Sequence, residues 1–379
     1  MALLDDQDEA MVTKASGAQG SSAGSAQGNA AAVGGAKISS DVPDLSLTQA
    51  EHIAARIYGV HGRAVLLTSE RDGNFRIEAP DGQAYLLKIS NPSDSDELVD
   101  LQTACLDHIA AVDAARPVPR VLRTMGGSNR DHVTLTDGRR CAVRLLTYLE
   151  GVPAKSTPRS VRQRVQMGAA LADLDLALRG FQHPAASHDL HWNVARAHQL
   201  AHLVDEIEGD ASRKLVRHFM DRFVTAILPH LATMRAQAIH NDFHLYNVLV
   251  AADDPCRVTG IIDFGDMIHA PLVGEIATGA AYQMADAADP LAAAADFVGG
   301  FHAVLPLLAQ EQAIVADLMA TRHLITVLIT EWRSRRYPEN YAYIMRHNPA
   351  SWDALRLMAD LSQENARDRL LAEVRGGDN

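Results

Sequence analysis

The sequence predicts an α+β protein of two lobes, a small β-rich N-lobe followed by a larger helical C-lobe. Two observations carry this. Between residues 64 and 149, short β-rich runs alternate with the turn pairs Asp72-Gly73, Asp81-Gly82 and Asp137-Gly138. After "LEGVP" the pattern turns helical, in stretches such as "SVRQRVQMGAALADLDLAL" and "RKLVRHFMDRFVTAILPHL". No repeat with a period of roughly 20 to 50 residues suggests a solenoid or propeller instead.

Taken in order, the chain opens with a Gly/Ala/Ser-rich segment, residues 1–43, too poor in apolar side chains to offset the entropy of ordering and therefore expected to be a disordered tail. "SLTQAEHIAARIYG" predicts a helix capped by Ser46 and ended by Gly59, with Ile53, Ala54 and Ile57 on its apolar face. "AVLLTS", "NFRIEAP", "AYLLKIS", "VTLTD" and "CAVRLLTYL" then read as a meander of strands. A helix, "SDELVDLQTACLDHIAA", is inserted between the third and fourth runs. The expected division is an N-lobe over residues 44–147 and a C-lobe over 148–379.

Composition narrows the partners. With 379 residues, 47% of them hydrophobic and 22% charged, the chain can bury a substantial core. A formal charge of −12 argues against a nucleic-acid surface and favours small molecules. Cys105, Cys141 and Cys256 are too few and too scattered for a disulfide framework or a CxxC metal site. The acidic start and the lack of an apolar run of about 18 residues predict no export or membrane segment and a cytoplasmic setting.

The densest chemistry lies in "AIHNDFHLYNVLV", residues 238–250. "NVLV" and "VTGIID" read as a hairpin joined by "AADDPCR", and the second strand runs into "DFGD". Pairing of those strands sets Asp242 and Asn247 on one loop beside Asp263 on the next. Such oxygen donors suit Mg²⁺, which keeps its other positions for water and phosphate. The step from Asp242 to Asn247 matches the kinase arrangement, in which an Asp accepts the hydroxyl proton while an Asn and a DFG Asp hold metal. His240 and His244 share the spacing of a zinc helix but lack its neighbouring Glu, and a strand follows directly, so His240 is expected to brace the loop.

These residues carry a resemblance. "HNDFHLYN" and "IIDFGDMIHAPLVGEIATGAAY", with "LTSERDGNF", "YLLKIS", "VRLLTYLEG" and "FQHP" in order before them, are similar to the aminoglycoside phosphotransferase and choline kinase branch of the protein-kinase-like fold. Within it the chain most resembles hydroxylysine kinases and the kinase domains fused to aminotransferases. The matches spread over residues 65–350.

The resemblance implies a nucleotide-binding N-lobe, with Lys88 on the phosphates, Ser69 and Asn74 covering them in place of a glycine-rich loop, and the backbone around Leu145, Thr147 and Leu149 meeting the purine. Asp242 would be the catalytic base, and Asn247 and Asp263 the Mg²⁺ ligands. ATP or GTP would be the co-substrate, GTP being the preference of hydroxylysine kinases. The acceptor would be an amine-bearing alcohol, with 5-hydroxylysine favoured over ethanolamine-, choline-, homoserine- or aminoglycoside-like alcohols. Asp266 and Glu275 are the carboxylates expected to hold its ammonium; Asp266 could instead brace its own turn through backbone N–H groups.

The chain also departs from the family pattern. Where protein kinases use a helix Glu to hold the lysine, Glu97, Asp100 and Gln102 are the alternatives here. Asn241 replaces a Gly in H-G-D, at a position where a left-handed backbone is expected and Asn tolerates it. The arginines of "EWRSRRYPENY" are either a solvated helix end or a seat for a substrate carboxylate. Trp192, Trp332 and Trp352 are expected to pack, with the border of the substrate pocket as the alternative for Trp192 and Trp332. A nucleotide-binding regulatory module without turnover is the competing function.

Overall fold

The computed structural model describes residues 42–67, 69 and 71–376. Most of the segment expected to be a disordered tail, residues 1–41, lies outside the described residues. Helix α1 (Leu47–Tyr58) begins with a capping box between Ser46 and Gln49 and stops at Gly59, whose φ of 69° is the left-handed geometry that a glycine cap supplies. Its buried face packs on the sheet made by β1 (Arg63–Leu67), β2 (Gly73–Glu78), β3 (Ala84–Ile89), β4 (Val121–Leu122), β5 (Asp131–Thr134) and β6 (Arg140–Thr147). All pairings in it are antiparallel.

The sheet is not the simple meander the sequence suggests. Helix α2 (Asp96–Val112) carries the chain away after β3, and β6 returns to pair with β3, while β4 and β5 share the far edge of β6. The two-residue β4 is too short to leave a pattern in the sequence. Period-2 alternation sends Phe75, Ile77, Leu87, Ile89, Val143 and Leu145 to the face covered by α1. On the opposite face the register places Asn74 across from Lys88, and Lys88 across from Arg144. Leu101, Cys105, Leu106 and Ile109 of α2 join the larger helical core, so the two cores interlock.

Beyond β6 come β7 (Val152–Pro153), α3 (Val161–Ala177), α4 (Asp210–Arg222) and α5 (Leu228–Leu231). Short strands follow: β8 (Ala236–Ile239), β9 (Val248–Val250), β10 (Val258–Ile261) and β11 (Ile268–Pro271). As the sequence predicts, β9 and β10 form a hairpin, with β7 on the other side of β9; β8 pairs with β11. The remainder is helical: α6 (Leu272–Gln283), α7 (Pro290–Val304), α8 (Ala309–Arg336), α9 (Tyr341–Ile344), α10 (Asn348–Ala359), α11 (Gln363–Leu370) and α12 (Ala372–Gly376).

Helices α3 and α7 touch at their backbones. A Cβ on Gly168 would lie 2.0 Å from the Phe297 carbonyl oxygen, and one on Gly300 would lie 2.1 Å from that of Val165. Helix α8 is long and apolar enough to cross a membrane, but 89% of that apolar stretch is buried inside the protein, as in the central helix of a folded core. Cys105, Cys141 and Cys256 are all free thiols.

Candidate active site

Asp242 and Asp263 sit on neighbouring loops because the backbone between them is stitched from both sides. The Ile262 N–H donates to the Asn247 carbonyl at 2.9 Å, and His240 Nε2 meets the Ile262 carbonyl at 3.0 Å. His240 Nδ1 accepts the Asp242 N–H, so the ring bridges the two loops. Burial pushes its pKa down to about 4, keeping it neutral. Asn241 has φ 65° and Asp263 φ 64°, both in the left-handed region; the Asn at the usual Gly position keeps the geometry that position requires.

Asn247 donates its side-chain amide to the Asp242 carbonyl at 3.0 Å and to Asp242 Oδ2 at 2.9 Å. This fixes the Asp242 rotamer and leaves the Asn247 Oδ1 as the available donor atom to a cation. Asp263 is half-exposed, and its Oδ1 accepts the Gly265 N–H. Asp266 makes no hydrogen bond or ion pair among the described residues, so the turn-bracing alternative has no bond to support it. Burial, with the charges of Asp242 and Asp263, pushes the Asp266 carboxyl up to about 7. Burial likewise pushes Asp242 up to about 7 against the pull of Arg322.

In the N-lobe, Lys88 Nζ lies 2.8 Å from Asp72 Oδ2 and 4.0 Å from Asp263 Oδ1. Burial acts to lower the lysine pKa, but the two carboxylates outweigh it and the ammonium is held charged. Asp72 is the residue that sequence reasoning missed, because Asp72-Gly73 reads as an ordinary turn pair. Glu97, Asp100 and Gln102 do not take this role: Asp100 instead pairs with Arg130 and with His183. The Asp72 loop is pinned to the segment after β3, since Asn91 N–H donates to Asp72 Oδ1 and Asn91 Nδ2 to the Arg71 carbonyl. Ser69 Oγ accepts the Asp72 N–H at 3.2 Å, and the buried Asn74 Oδ1 has no partner.

Three expectations need correction. Leu145 lies between β3 and β4 in register with Leu87 and Leu122, so its backbone serves the sheet rather than a purine. The Thr147 N–H donates to the Arg120 carbonyl, which leaves Leu149, outside any backbone pairing, as the free position of the linker. Glu275 is fully buried, and its Oε2 accepts the Asn241 N–H at 2.6 Å. It supports the loop from beneath instead of facing an acceptor, and burial pushes its pKa up to about 8.

Arg322 of α8 is the second missed residue. It is nearly fully buried, its guanidinium lies 5.0 Å from the Trp192 ring centroid, and it donates to the Trp192 carbonyl and the Tyr282 hydroxyl, each at 2.9 Å. Its Nη2 is 3.4 Å from Asp242 Oδ1. Beside it stand the rings of His244, Tyr246, Tyr282 and His347, with centroids 5.3 to 6.0 Å apart. His244 Nδ1 accepts two backbone N–H groups and its Nε2 faces Asp242 at 3.4 Å. Among the described residues no three His, Cys, Asp or Glu side chains group as metal ligands.

The family can now be assigned. A model of the phosphotransferase enzyme family matches residues 64–312, from β1 into α8. The chain belongs to that family. It is a phosphotransferase acting on an alcohol group. It is similar to hydroxylysine kinase of Mus musculus, 28% identical over 345 residues that cover 85% of this chain and 91% of the relative. Hydroxylysine kinase of Xenopus laevis is 29% identical over 354 residues, covering 87% and 94%.

Among solved structures, an amicoumacin kinase in complex with AMP-PNP, Ca²⁺ and Ami superposes with a TM-score of 0.60 at 14% identity, over 79% of this chain and 92% of the other. A microcompartment-associated aminopropanol kinase gives 0.59 at 16% identity, over 86% and 98%. At these identities the likeness establishes the protein-kinase-like fold.

Proposed function

We propose that the protein is a small-molecule kinase that transfers the γ-phosphoryl group of ATP or GTP to the hydroxyl of a cationic amino alcohol or hydroxy amino acid, 5-hydroxy-L-lysine being favoured. The observation that carries this is the joint geometry of Asp242, Asn247, Asp263 and Lys88 in a chain similar along most of its length to hydroxylysine kinases.

Asp242 is the base. Its carboxylate, oriented by Asn247 and Arg322, accepts the proton of the acceptor hydroxyl as the oxygen attacks the γ-phosphorus and the bond to the β–γ bridging oxygen breaks. Nucleoside diphosphate leaves. Arg322 favours the charged form of Asp242, opposing the effect of burial. Lys88, held charged by Asp72, lies close enough to Asp263 to serve phosphate oxygens beside it. The donor set fits Mg²⁺: one amide oxygen and one carboxylate, with the remaining positions left to phosphate and water. Asn247 and Asp263 would hold the ion, which would neutralise phosphate charge.

Asp266, unpaired and close enough to Asp242 for their charges to interact, suits an ammonium on the carbon next to the reacting hydroxyl. The test is a screen for nucleoside diphosphate release with ATP and with GTP across amino alcohols and hydroxy amino acids. Turnover that depends on an amine-bearing alcohol supports the proposal. Nucleotide binding without turnover on any acceptor would replace it with a regulatory module.

A further inference from the structure

Resting on that function, we infer that Arg346 receives a carboxylate at the far end of the acceptor, which makes the protein selective for a hydroxylated amino acid over the corresponding amino alcohol. Of the three arginines of "EWRSRRYPENY", for which a carboxylate seat was one of two alternatives, Arg335 and Arg336 are occupied elsewhere. Arg335 bonds to the Glu206 carbonyl and lies 3.7 Å from Glu208, while Arg336 pairs with Glu206 at 3.5 Å and covers Trp332. Arg322 is also committed, with its Nη atoms on Trp192, Tyr282 and Asp242 in a buried setting that leaves no face for a ligand.

Arg346 differs on each count. It lies between α9 and α10, is exposed, and makes no hydrogen bond or ion pair among the described residues. Its guanidinium carbon sits 4.1 Å from the Tyr343 ring centroid and 5.3 Å from that of Tyr246. The guanidinium is thus within cation–π reach of both rings, while its fork of N–H donors has no hydrogen-bond partner among the described residues. Tyr246 belongs to the loop that carries Asp242 and Asn247, so the guanidinium stands at the rim of the same pocket. Its charge is felt at Asp242, and the neighbouring His244 and His347 rings are kept neutral by burial.

The polarity of the pocket then matches one kind of molecule. Carboxylates at Asp242 and Asp266 face the hydroxyl and the amine beside it, and a cation at Arg346 faces the opposite end. In 5-hydroxylysine the hydroxyl and the side-chain ammonium are on adjacent carbons and the carboxylate is at the other end of the chain. Choline and ethanolamine have nothing for Arg346 to hold.

The experiment compares 5-hydroxylysine with the diamino alcohol left by removing its carboxyl group, in the wild type, Arg346→Gln and Arg346→Lys. The wild type should favour the amino acid, and Arg346→Gln should raise its KM by roughly 10- to 100-fold, the worth of a charge-assisted hydrogen bond or pair of them. The KM of the diamino alcohol and of the nucleotide should move by less than about threefold, and Arg346→Lys should recover part of the loss because it keeps the charge without the fork. Equal losses on both acceptors, no loss on the amino acid, or a wild-type preference for the diamino alcohol would overturn the inference while leaving the kinase in place. A wild type that turns over no amine-bearing alcohol at all would overturn the proposed function, and the inference with it.

Discussion

Two sets of carboxyl groups lie in the helical lobe, one at the floor of the cleft and one directly beneath it. Asp242, Asp263 and Asp266 form the upper set, within the fields of Arg322 and Lys88. Asp175 and Glu275 form the lower set, with no exposure; neither Asp175 oxygen nor Glu275 Oε1 has a hydrogen-bond partner. Burial raises the pKa of Asp242, Asp266, Asp175 and Glu275 alike. What separates the sets is access. Asp242 and Asp263 meet cations and the upper set can meet a ligand, whereas burial favours the neutral form of the lower pair, and Glu275 supports the Asn241 backbone. A strongly shifted carboxyl is therefore not by itself a mark of the reacting site.

The comparison breaks most sharply at Asp242. Asp242→Asn should lower turnover by about 10²- to 10⁴-fold, the usual worth of a positioned base, with nucleotide affinity largely kept. Near-normal turnover would remove Asp242 from the reaction. The next effect is at Arg322. Because its charge lowers the Asp242 pKa against burial, Arg322→Met should move the acidic limb of the kcat/KM profile, which lies near pH 7 for the interacting Asp242 and Asp266 pair, to higher pH. An unmoved limb would show that Arg322 only packs.

Asp266→Asn should raise the acceptor KM by roughly tenfold and leave the nucleotide KM nearly unaltered, the signature of lost binding at one substrate. Parallel losses for both substrates would mean that the loop itself is damaged. The smallest kinetic effect belongs to the lower set. Glu275→Gln should change either KM by less than about threefold, since the amide can still accept the Asn241 N–H. Its signature is in stability. A carboxyl with a raised folded pKa stabilises most below its unfolded value and loses that contribution as pH rises through the folded one. The fall in Tm between the ordinary Glu range and the Glu275 value of about 8 should therefore be shallower in the variant. A Tm profile parallel to the wild type would show that Glu275 is not buried as a neutral acid.

The strands and the Asp242–Asn247–Asp263 arrangement were legible because they are local. Period-2 alternation and Asp-Gly turns mark β1 to β3, β5 and β6, and the hairpin of β9 and β10 sets the two loops together by itself. What was hidden depends on contacts between distant segments. Arg322 lies 80 residues from Asp242, and its only sequence signal is a lone arginine in "LMATRHLITVLIT", a stretch with no other Asp, Glu, Lys or Arg. Arg144 gives a similar signal in "CAVRLL", where one charge interrupts a buried strand. Asp72 was concealed by its resemblance to a turn residue, and Leu145 by a partner strand of two residues. Glu275 was misread because proximity to the metal loop in sequence says nothing about which side of α6 is covered, and α6 is covered almost all round.

The central claim, that phosphoryl passes to a carbon-bound oxygen of an amine-bearing acceptor with Asp242 as base, is tested most directly by phosphorus NMR of a mixture of protein, Mg²⁺, GTP or ATP and 5-hydroxylysine. The account predicts a phosphomonoester resonance that grows in step with nucleoside diphosphate and is suppressed in Asp242→Asn. Nucleoside diphosphate accompanied by inorganic phosphate alone, or an ester signal that persists undiminished in the variant, would contradict it.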